Sequence, residues 1–165
     1  QYRAGAGSAL GGIEWGFAVD GDNAYFAISD LLTAQPGGLT AVRLRTGERV
    51  WFAEPPPPIC AGPGVRTGVM SGCDASLPAA VSAIPGVVFS GSNDGGLRAH
   101  SAETGDVLWV YDTNREFDTV NGVPASGGSF NASGPVIVDG MLYVNSGYAF
   151  LGSRPGNVLL AFGLD

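Results

Sequence analysis

"AVRLRTGERVW", which runs from Ala41 to Trp51, returns as "AHSAETGDVLW" from Ala99 to Trp109 with the same spacing of Ala, Thr-Gly and Trp. Most residues between these fixed positions differ, so the spacing itself is what the two stretches share. A spacing that repeats within a chain indicates a repeated supersecondary unit, in which each copy buries its apolar face against the next. This repeat therefore decides the fold class.

The composition favours short strands joined by tight turns. The 165 residues are 45% hydrophobic and 14% charged, with 27 Gly and 11 Pro. This is enough apolar material for a folded domain with a sizeable core. Fifteen acidic and eight basic residues give a net charge of -7, and an acidic surface repels phosphate backbones, which disfavours nucleic acid as a partner. No apolar run approaches the roughly 20 residues that a transmembrane helix needs.

The match between the two copies extends upstream of the quoted stretches. "GGL" precedes each Ala, at 37–39 and 95–97. The strand-like runs before these are rich in aromatic and β-branched residues and lie at 13–19, 23–29, 77–84 and 86–92. Each copy therefore predicts four antiparallel strands, and a third copy, from 134 to 165, reaches its third strand. We expect an all-β fold of about three propeller blades, at 11–54, 75–112 and 133–165, with an excursion between blades at 55–74.

The fixed positions have a physical explanation. Gly gives the tight turn its backbone freedom, and the preceding Thr can bond to the turn backbone. Trp51 and Trp109, each on a fourth strand, can lie flat across the neighbouring sheet while the indole N–H finds an acceptor. The alternative is that both are ordinary core aromatics of a β-sandwich.

The two cysteines flank the Gly- and Pro-rich excursion. Cys60 and Cys73 are spaced as in a disulfide that closes a surface loop, which indicates an oxidising compartment. Such a bridge contributes roughly 3 kcal/mol in the chain-entropy model. The alternative is two inert free thiols.

The repeated motif resembles the tryptophan-docking motif of quinoprotein alcohol dehydrogenases, which are eight-bladed propellers that carry pyrroloquinoline quinone (PQQ). The similarity is strongest to the polyvinyl-alcohol-dehydrogenase-like branch. The segments that carry it lie at 11–30, 83–109, 119–129 and 146–162. The resemblance implies that this chain is the C-terminal portion of a larger, eight-bladed propeller. Three blades cannot close a ring, so we expect the chain to pack against the remainder of the propeller, in the same chain or another.

The resemblance also implies a cofactor site. PQQ is a planar tricyclic quinone with three carboxylates, so its pocket needs a flat aromatic floor and usually Ca²⁺ held by oxygen ligands. Trp15 in "EWG" matches the Trp-Gly that supports the quinone at the head of an innermost strand in the family. The alternative is a packing residue that lines the channel. Glu14 is a second carboxylate near the channel mouth, but on a strand it would point away from Trp15.

Three further residues correspond to functional positions of the family. Asp30 lies where relatives have a metal-ligating Asn, and it would supply a hard oxygen ligand instead. Asp74 lies roughly where they have the carboxylate that takes the alcohol proton, although its simplest interpretation is a solvated loop residue. Asn121 begins a Gly-rich stretch and could reach the quinone, or it could belong to a plain inter-blade connection.

Two functions follow as hypotheses. The first is a periplasmic or secreted PQQ-dependent alcohol dehydrogenase, which oxidises secondary alcohol groups, such as those of polyvinyl alcohol, and passes electrons to a cytochrome c. The chain holds no Cys-x-x-Cys-His, so the accepting haem would belong to another part of the protein or to a partner. The second is a non-catalytic propeller of the outer-membrane assembly-factor type, because the docking motif is shared with such scaffolds and the metal-ligand and base positions match the dehydrogenases poorly.

Overall fold

The computed structural model describes residues 1–68, 71–150 and 152–164, and its regular structure consists of thirteen β-strands. In chain order they are β1 (Phe17–Asp20), β2 (Asn23–Ala27), β3 (Leu39–Arg43), β4 (Arg49–Ala53), β5 (Ser82–Ile84), β6 (Val87–Gly91), β7 (Gly96–Ser101), β8 (Val107–Asp112), β9 (Glu116–Phe117), β10 (Ala125–Ser126), β11 (Val136–Val138), β12 (Met141–Ser146) and β13 (Val158–Phe162). Within the described ranges there is no helix long and apolar enough to cross a membrane.

The strands form antiparallel sheets of sequential neighbours. β1–β4 make the first sheet and β5–β8 the second, each with four strands, while β11–β13 make a third sheet of three. β9 and β10 form a separate two-stranded hairpin. This confirms the all-β fold with four-stranded blades. The sheets lie inside the blade limits expected from the sequence, and the number of blades in a complete ring stays a prediction.

The repeated spacing has the same structural consequence in both copies. Ala41 pairs with Trp51 in the first sheet, and Ala99 pairs with Trp109 in the second. In each case the register shifts immediately after the Ala, because the Thr-Gly turn fits one extra residue on the fourth strand. The fixed spacing between Ala and Trp is therefore the signature of a bulged hairpin.

Apolar side chains fill the two spaces between the three sheets. The cluster between the first and second sheets contains Tyr25, Ala27, Leu39, Ala41, Trp51, Leu77, Val81, Val88 and Ala102. The cluster between the second and third sheets contains Ala79, Leu97, Phe130, Leu142 and Val144. The sheets thus stack face to face, as successive blades do.

Trp51 docks the first sheet on the second. Its Nε1–H donates to the carbonyl of Ala102 at 2.9 Å, and only 8% of the residue is exposed. Its ring covers Gly105, where a Cβ atom would come within 2.7 Å of the indole. Gly105 also has a φ of 81°, which a side chain would strain. The tryptophan-docking prediction is confirmed, and the β-sandwich alternative is wrong.

Trp109 repeats this position between the second and third sheets. Its ring meets Phe162 edge to face, with centroids 5.5 Å apart, and stacks on Tyr111 at 5.7 Å. Such aromatic pairs add stability beyond the area that they bury. Trp109 is half-buried, so it contributes less to the packing between sheets than Trp51 does.

The segments that lead into the second and third sheets also bind the sheet before them. Leu77 N–H donates to the carbonyl of Ile28 at 3.2 Å, and Phe130 N–H donates to that of Ser92 at 3.1 Å. Ile28 and Ser92 directly follow β2 and β6, so they hold equivalent places in the repeat. Backbone hydrogen bonds to the neighbouring blade therefore fix each lead-in segment. They also hold in place the polar residues next to it.

The predicted disulfide is confirmed. Cys60 and Cys73 are bonded, with 5.8 Å between their Cα atoms, and they close the excursion into a loop. Next to the bridge, Ile59 N–H donates to Oδ2 of Asp94 at 3.0 Å. The loop is thus attached to the second sheet beside the bridge.

Asp94 is the centre of a buried ion pair. Its Oδ2 lies 2.7 Å from Nη2 of Arg98, and both side chains are almost fully buried. Burial alone would raise the pKa of the Asp94 carboxyl, but the Arg98 guanidinium outweighs it and holds that pKa below its ordinary value. Removing either partner would leave an uncompensated buried charge.

His100 binds the turn between β7 and β8 that contains Gly105. Its Nδ1 lies 3.1 Å from the carbonyl oxygen of Gly105, which can only accept, so Nδ1 carries the hydrogen and Nε2 accepts from Ser90 Oγ at 3.1 Å. Burial lowers the pKa of His100 below its ordinary value of 6.5, and the charge of Arg98 lowers it further, while the bond to Gly105 opposes both. The neutral ring therefore supports the turn on which Trp51 rests.

Because His100 is buried in its neutral form, we expect the free energy of unfolding to decrease in acid. Below about pH 6.5 the unfolded chain binds a proton at His100 more readily than the folded chain does. The free energy of unfolding should therefore decrease as the pH is lowered, by at most about 1.4 kcal/mol per pH unit. The full stabilisation is present above that pH. Urea unfolding of the longest native form of the protein, at about pH 7.5 and 5.5, should show a smaller loss for His100→Gln than for the wild type. An identical loss would contradict this role.

Candidate functional site

The segments that lead into β1, β5 and β11, the first strands of the three sheets, meet at one place. β1 lies against β5, and a Cβ atom on Gly16 would approach that of Ala80 to 3.3 Å. A Cβ atom on Gly134 would come within 2.3 Å of the carbonyl oxygen of Ala80. These close approaches require small residues, and they bring the starts of β1, β5 and β11 together around one rim.

Trp15 lies on this rim, immediately before Gly16. It is 59% exposed, so a broad face of the indole is free in this chain. Glu14 beside it is also exposed. The rim therefore carries an uncovered aromatic surface with a carboxylate next to it.

Asp74 lies in the lead-in to the second sheet, directly after the disulfide-bonded Cys73. It is only 2% exposed, so it is not a solvated loop residue. Its Oδ1 accepts from the backbone N–H of Ser76 at 3.0 Å and from the Ser76 hydroxyl, and its Oδ2 accepts from Nδ2 of Asn93 at 2.5 Å. A carboxylate has about four lone-pair sites, so one on Oδ2 has no donor among the described residues.

Asn93 continues the buried network away from Asp74. Its Oδ1 accepts from the Ser153 hydroxyl at 2.6 Å, and Oγ of Ser153 accepts from Nδ2 of Asn131 at 2.8 Å. All four residues are buried. They come from four separate segments of the chain, which backbone bonds of the kind described above hold in place.

Asp30 has a different environment. Its carboxylate accepts from three backbone N–H groups of the N-terminal segment: Oδ2 from Ala6 at 2.7 Å, and Oδ1 from Gly7 at 3.0 Å and Gly12 at 2.7 Å. The residue is 2% exposed. This arrangement fastens the N-terminal segment to the end of β2, and it engages both oxygens.

Asn121 lies in the turn of the β9–β10 hairpin. Its Oδ1 accepts from Oγ1 of Thr119 at 2.7 Å and from N–H of Val123 at 3.3 Å. The residue is exposed. Its side chain therefore caps this turn, and it makes no hydrogen bond to the Asp74 network.

The structure thus brings some of the expected residues into one region and separates others. Asp74 lies in the buried network, Trp15 on the rim, Asp30 beneath the N-terminal segment and Asn121 on a hairpin. Their functional roles stay predictions. No group of three or more His, Cys, Asp or Glu among the described residues is arranged to hold a metal ion.

The sequence analysis missed Asn93, Ser153 and Asn131. The strand pairing shows that Asn93 is the counterpart of Ser29 in the repeat, because Ala27 pairs with Leu39 as Gly91 pairs with Leu97, and each residue lies two positions after its strand. The other two residues lie in irregular loops without a repeated partner. Their part in the network depends on contacts between distant segments.

The tryptophan-docked antiparallel sheets, whose first strands converge at one rim, define blades of a β-propeller. In fold, the chain is similar to the quinohemoprotein alcohol dehydrogenase of Comamonas testosteroni, with a TM-score of 0.54 and 23% identity, over 81% of this chain and 17% of that one. It is also similar to a quinohemoprotein alcohol dehydrogenase of Pseudomonas putida HK5, with a TM-score of 0.50 and 21% identity, over 84% of this chain and 19% of that one.

Sequence comparison identifies the relatives more narrowly. The chain is 42% identical to a polyvinylalcohol dehydrogenase of Pseudomonas sp and 38% identical to one of Sphingopyxis sp. (strain 113P3), across 99% and 96% of its own length. Over almost its whole length, this chain is therefore similar in sequence to these two polyvinylalcohol dehydrogenases. It spans 26% of the length of each of these two relatives. No family model matches the chain.

Proposed function

We propose that this chain forms part of a PQQ-dependent dehydrogenase that oxidises secondary alcohol groups, including those of polyvinyl alcohol. The observation that carries the proposal is the 42% identity to a polyvinylalcohol dehydrogenase over 99% of the chain. The electrons pass to a cytochrome c, and the protein acts in the periplasm or outside the cell. A buried disulfide-bonded Cys73 supports the oxidising compartment.

The rim fits a planar quinone. Trp15 offers a flat aromatic face that is 59% exposed in a chain where the other two Trp residues pack between sheets. Gly16 beside it packs closely against Ala80, so the backbone next to Trp15 is held in place. When bound, PQQ supplies the group that accepts hydride from the alcohol carbon. In this proposal Trp15 supports the quinone ring, and Glu14 and Asn121 stay candidates for contacts with its polar edge.

Asp74 is the proposed base. The unfilled lone-pair site on its Oδ2 can accept a hydrogen bond from a substrate hydroxyl, and the carboxylate can then take that proton. Ser76 and Asn93 hold the other positions of the carboxylate, so its orientation is fixed before substrate arrives. Burial beside these donors also keeps bulk water away from the transferred proton.

The structure offers less support for a metal at Asp30. Both oxygens already accept backbone N–H groups, whereas a Ca²⁺ ligand needs free carboxylate lone pairs. The metal role of Asp30 and the requirement for Ca²⁺ stay predictions, and no step of the reaction is assigned to a metal here. This same observation is what favours the alternative, a propeller of the same ancestry that serves as a binding scaffold.

Trp15→Ala tests the cofactor part of the proposal. In the longest native form of the protein, this variant should bind PQQ at least about tenfold more weakly than the wild type, because it loses the stacking surface. Leu108→Ala is the matched control, since Leu108 is 60% exposed on the outermost strand β8. Quinone absorbance titration measures both. Equal affinities for the wild type and Trp15→Ala would remove the stacking role.

A further inference from the structure

We propose that Ser153 is a positioning residue for the reaction, which acts by holding the amide of Asn93 in the orientation that donates to Asp74. The proposal rests on the proposed role of Asp74 as the base. Ser153 does not touch Asp74 itself. It acts through the side chain of Asn93, and each hydrogen bond in the series has a definite donor and acceptor.

The first link fixes what Asn93 must present to Asp74. An ionised carboxylate can only accept hydrogen bonds, so the atom of Asn93 that lies 2.5 Å from Oδ2 of Asp74 has to be the amide nitrogen. The amide oxygen then points the opposite way, towards Ser153. If the amide turned over, two oxygens would face each other and the carboxylate would lose this donor.

The second link explains why the amide stays in place. The Ser153 hydroxyl has one hydrogen and two acceptors within reach: Oδ1 of Asn93 at 2.6 Å and the carbonyl of Phe150 at 2.7 Å. The Phe150 carbonyl already receives the backbone N–H of Ser153 at 3.1 Å. Oδ1 of Asn93 receives no other donor in the part of the chain that the structure describes. Donation to Asn93 therefore satisfies more groups.

The third link orients the hydroxyl. Nδ2 of Asn131 donates to Oγ of Ser153 at 2.8 Å, so this lone pair of the hydroxyl is occupied and its hydrogen points away from Asn131. Asn131 and Ser153 are 7% and 8% exposed, so little water is present to replace either bond. The three bonds from Asn131 to Asp74 run in one direction, and such a chain strengthens each of its members.

Two further hydrogen bonds hold the backbone of Asn93 in place. Asn93 N–H donates to the carbonyl of Ser76 at 3.0 Å, and the Asn93 carbonyl accepts from Oγ of Ser129 at 2.6 Å. The backbone of Asn93 is thus fixed on both sides, so that rotation of its side chain is the main freedom that remains. Ser153 removes that freedom.

The test compares three variants of the longest native form of the protein. Ser153→Ala removes the hydroxyl. Ser153→Thr keeps it. Ser133→Ala is the matched control, because it removes an exposed hydroxyl that donates to Oδ1 of Asn145 at 2.9 Å, outside the network. We measure kcat and KM for a secondary alcohol with saturating PQQ, and we determine crystal structures of all three.

Ser153→Ala should lower kcat about ten- to hundredfold with KM nearly unchanged, because misorientation of a catalytic group affects the transition state more than binding. Ser153→Thr should restore most of kcat, and Ser133→Ala should match the wild type. A crystal structure of Ser153→Ala at better than about 1.2 Å, where the oxygen and nitrogen of an amide can be told apart, should show the Asn93 amide turned away from Asp74. An unturned amide would overturn the proposal, and so would a turned amide with unchanged kcat. A wild type that neither binds PQQ nor oxidises alcohols would instead overturn the proposed function, and the crystal structures would still decide whether Ser153 orients Asn93.

Discussion

Asp74→Asn should lower kcat for oxidation of a secondary alcohol by about two to four orders of magnitude, the range expected when a general base is lost. The amide has the same shape as the carboxylate, and its oxygen can still accept from the N–H of Ser76, while its nitrogen takes the place of Oδ2 and gives up the hydrogen bond from Nδ2 of Asn93. It cannot take a proton from the substrate. The variant should therefore fold and bind PQQ like the wild type, and the loss should fall on the chemical step.

The matched control for this variant is Asp118→Asn, which removes an exposed carboxylate on the β9–β10 hairpin. Steady-state kinetics with a dye acceptor, together with quinone titration, separate a loss of kcat from a loss of cofactor. If Asp74→Asn retains kcat within about twofold of the wild type with PQQ bound, Asp74 is not the base. A misfolded variant would be detected by its lost quinone binding and circular dichroism.

Trp51→Ala should destabilise the protein by about 3–5 kcal/mol, the cost of removing a large aromatic side chain from a core. The indole lies between two sheets, over Gly105, and its loss leaves a cavity and removes the donor to the Ala102 carbonyl. Trp51→Phe keeps most of the apolar area and loses the hydrogen bond, so it should cost about 1–3 kcal/mol.

Urea unfolding of the longest native form measures both Trp51 variants. Trp15→Ala is the natural control, because Trp15 is largely exposed and its removal should change stability by no more than about 0.5 kcal/mol in this chain. If Trp51→Ala and Trp15→Ala cost the same, the docking contact is not what holds neighbouring blades together.

The repeat made the sheets predictable because it reflects local rules. The Thr-Gly turn, the bulge after it and the small residue opposite Trp51 are all set within about eleven residues of sequence, so two copies suffice to reveal them. The disulfide was predictable for a similar reason, since Cys60 and Cys73 flank one loop and are the only cysteines.

The polar network was not predictable, because its contacts join segments that are distant in sequence. Ser153 reaches Asn93 across 60 residues, and Ser153 lies in an irregular loop that has no counterpart in the repeat. Asp30 presents the same difficulty: its sequence position indicated a metal ligand, but its oxygens bind N–H groups of a segment that carries no repeat signal. The β9–β10 hairpin has strands of two residues each, too short for alternation to show.

Quinone binding and alcohol oxidation can be followed in one experiment. The longest native form of the wild-type protein is loaded with PQQ and Ca²⁺, and dye-linked oxidation of a secondary alcohol is followed together with quinone absorbance. We expect saturable quinone binding and turnover that depends on the bound quinone. A well-folded, full-length propeller that binds no quinone would contradict it, and it would leave the repeated blades as a scaffold for binding other proteins.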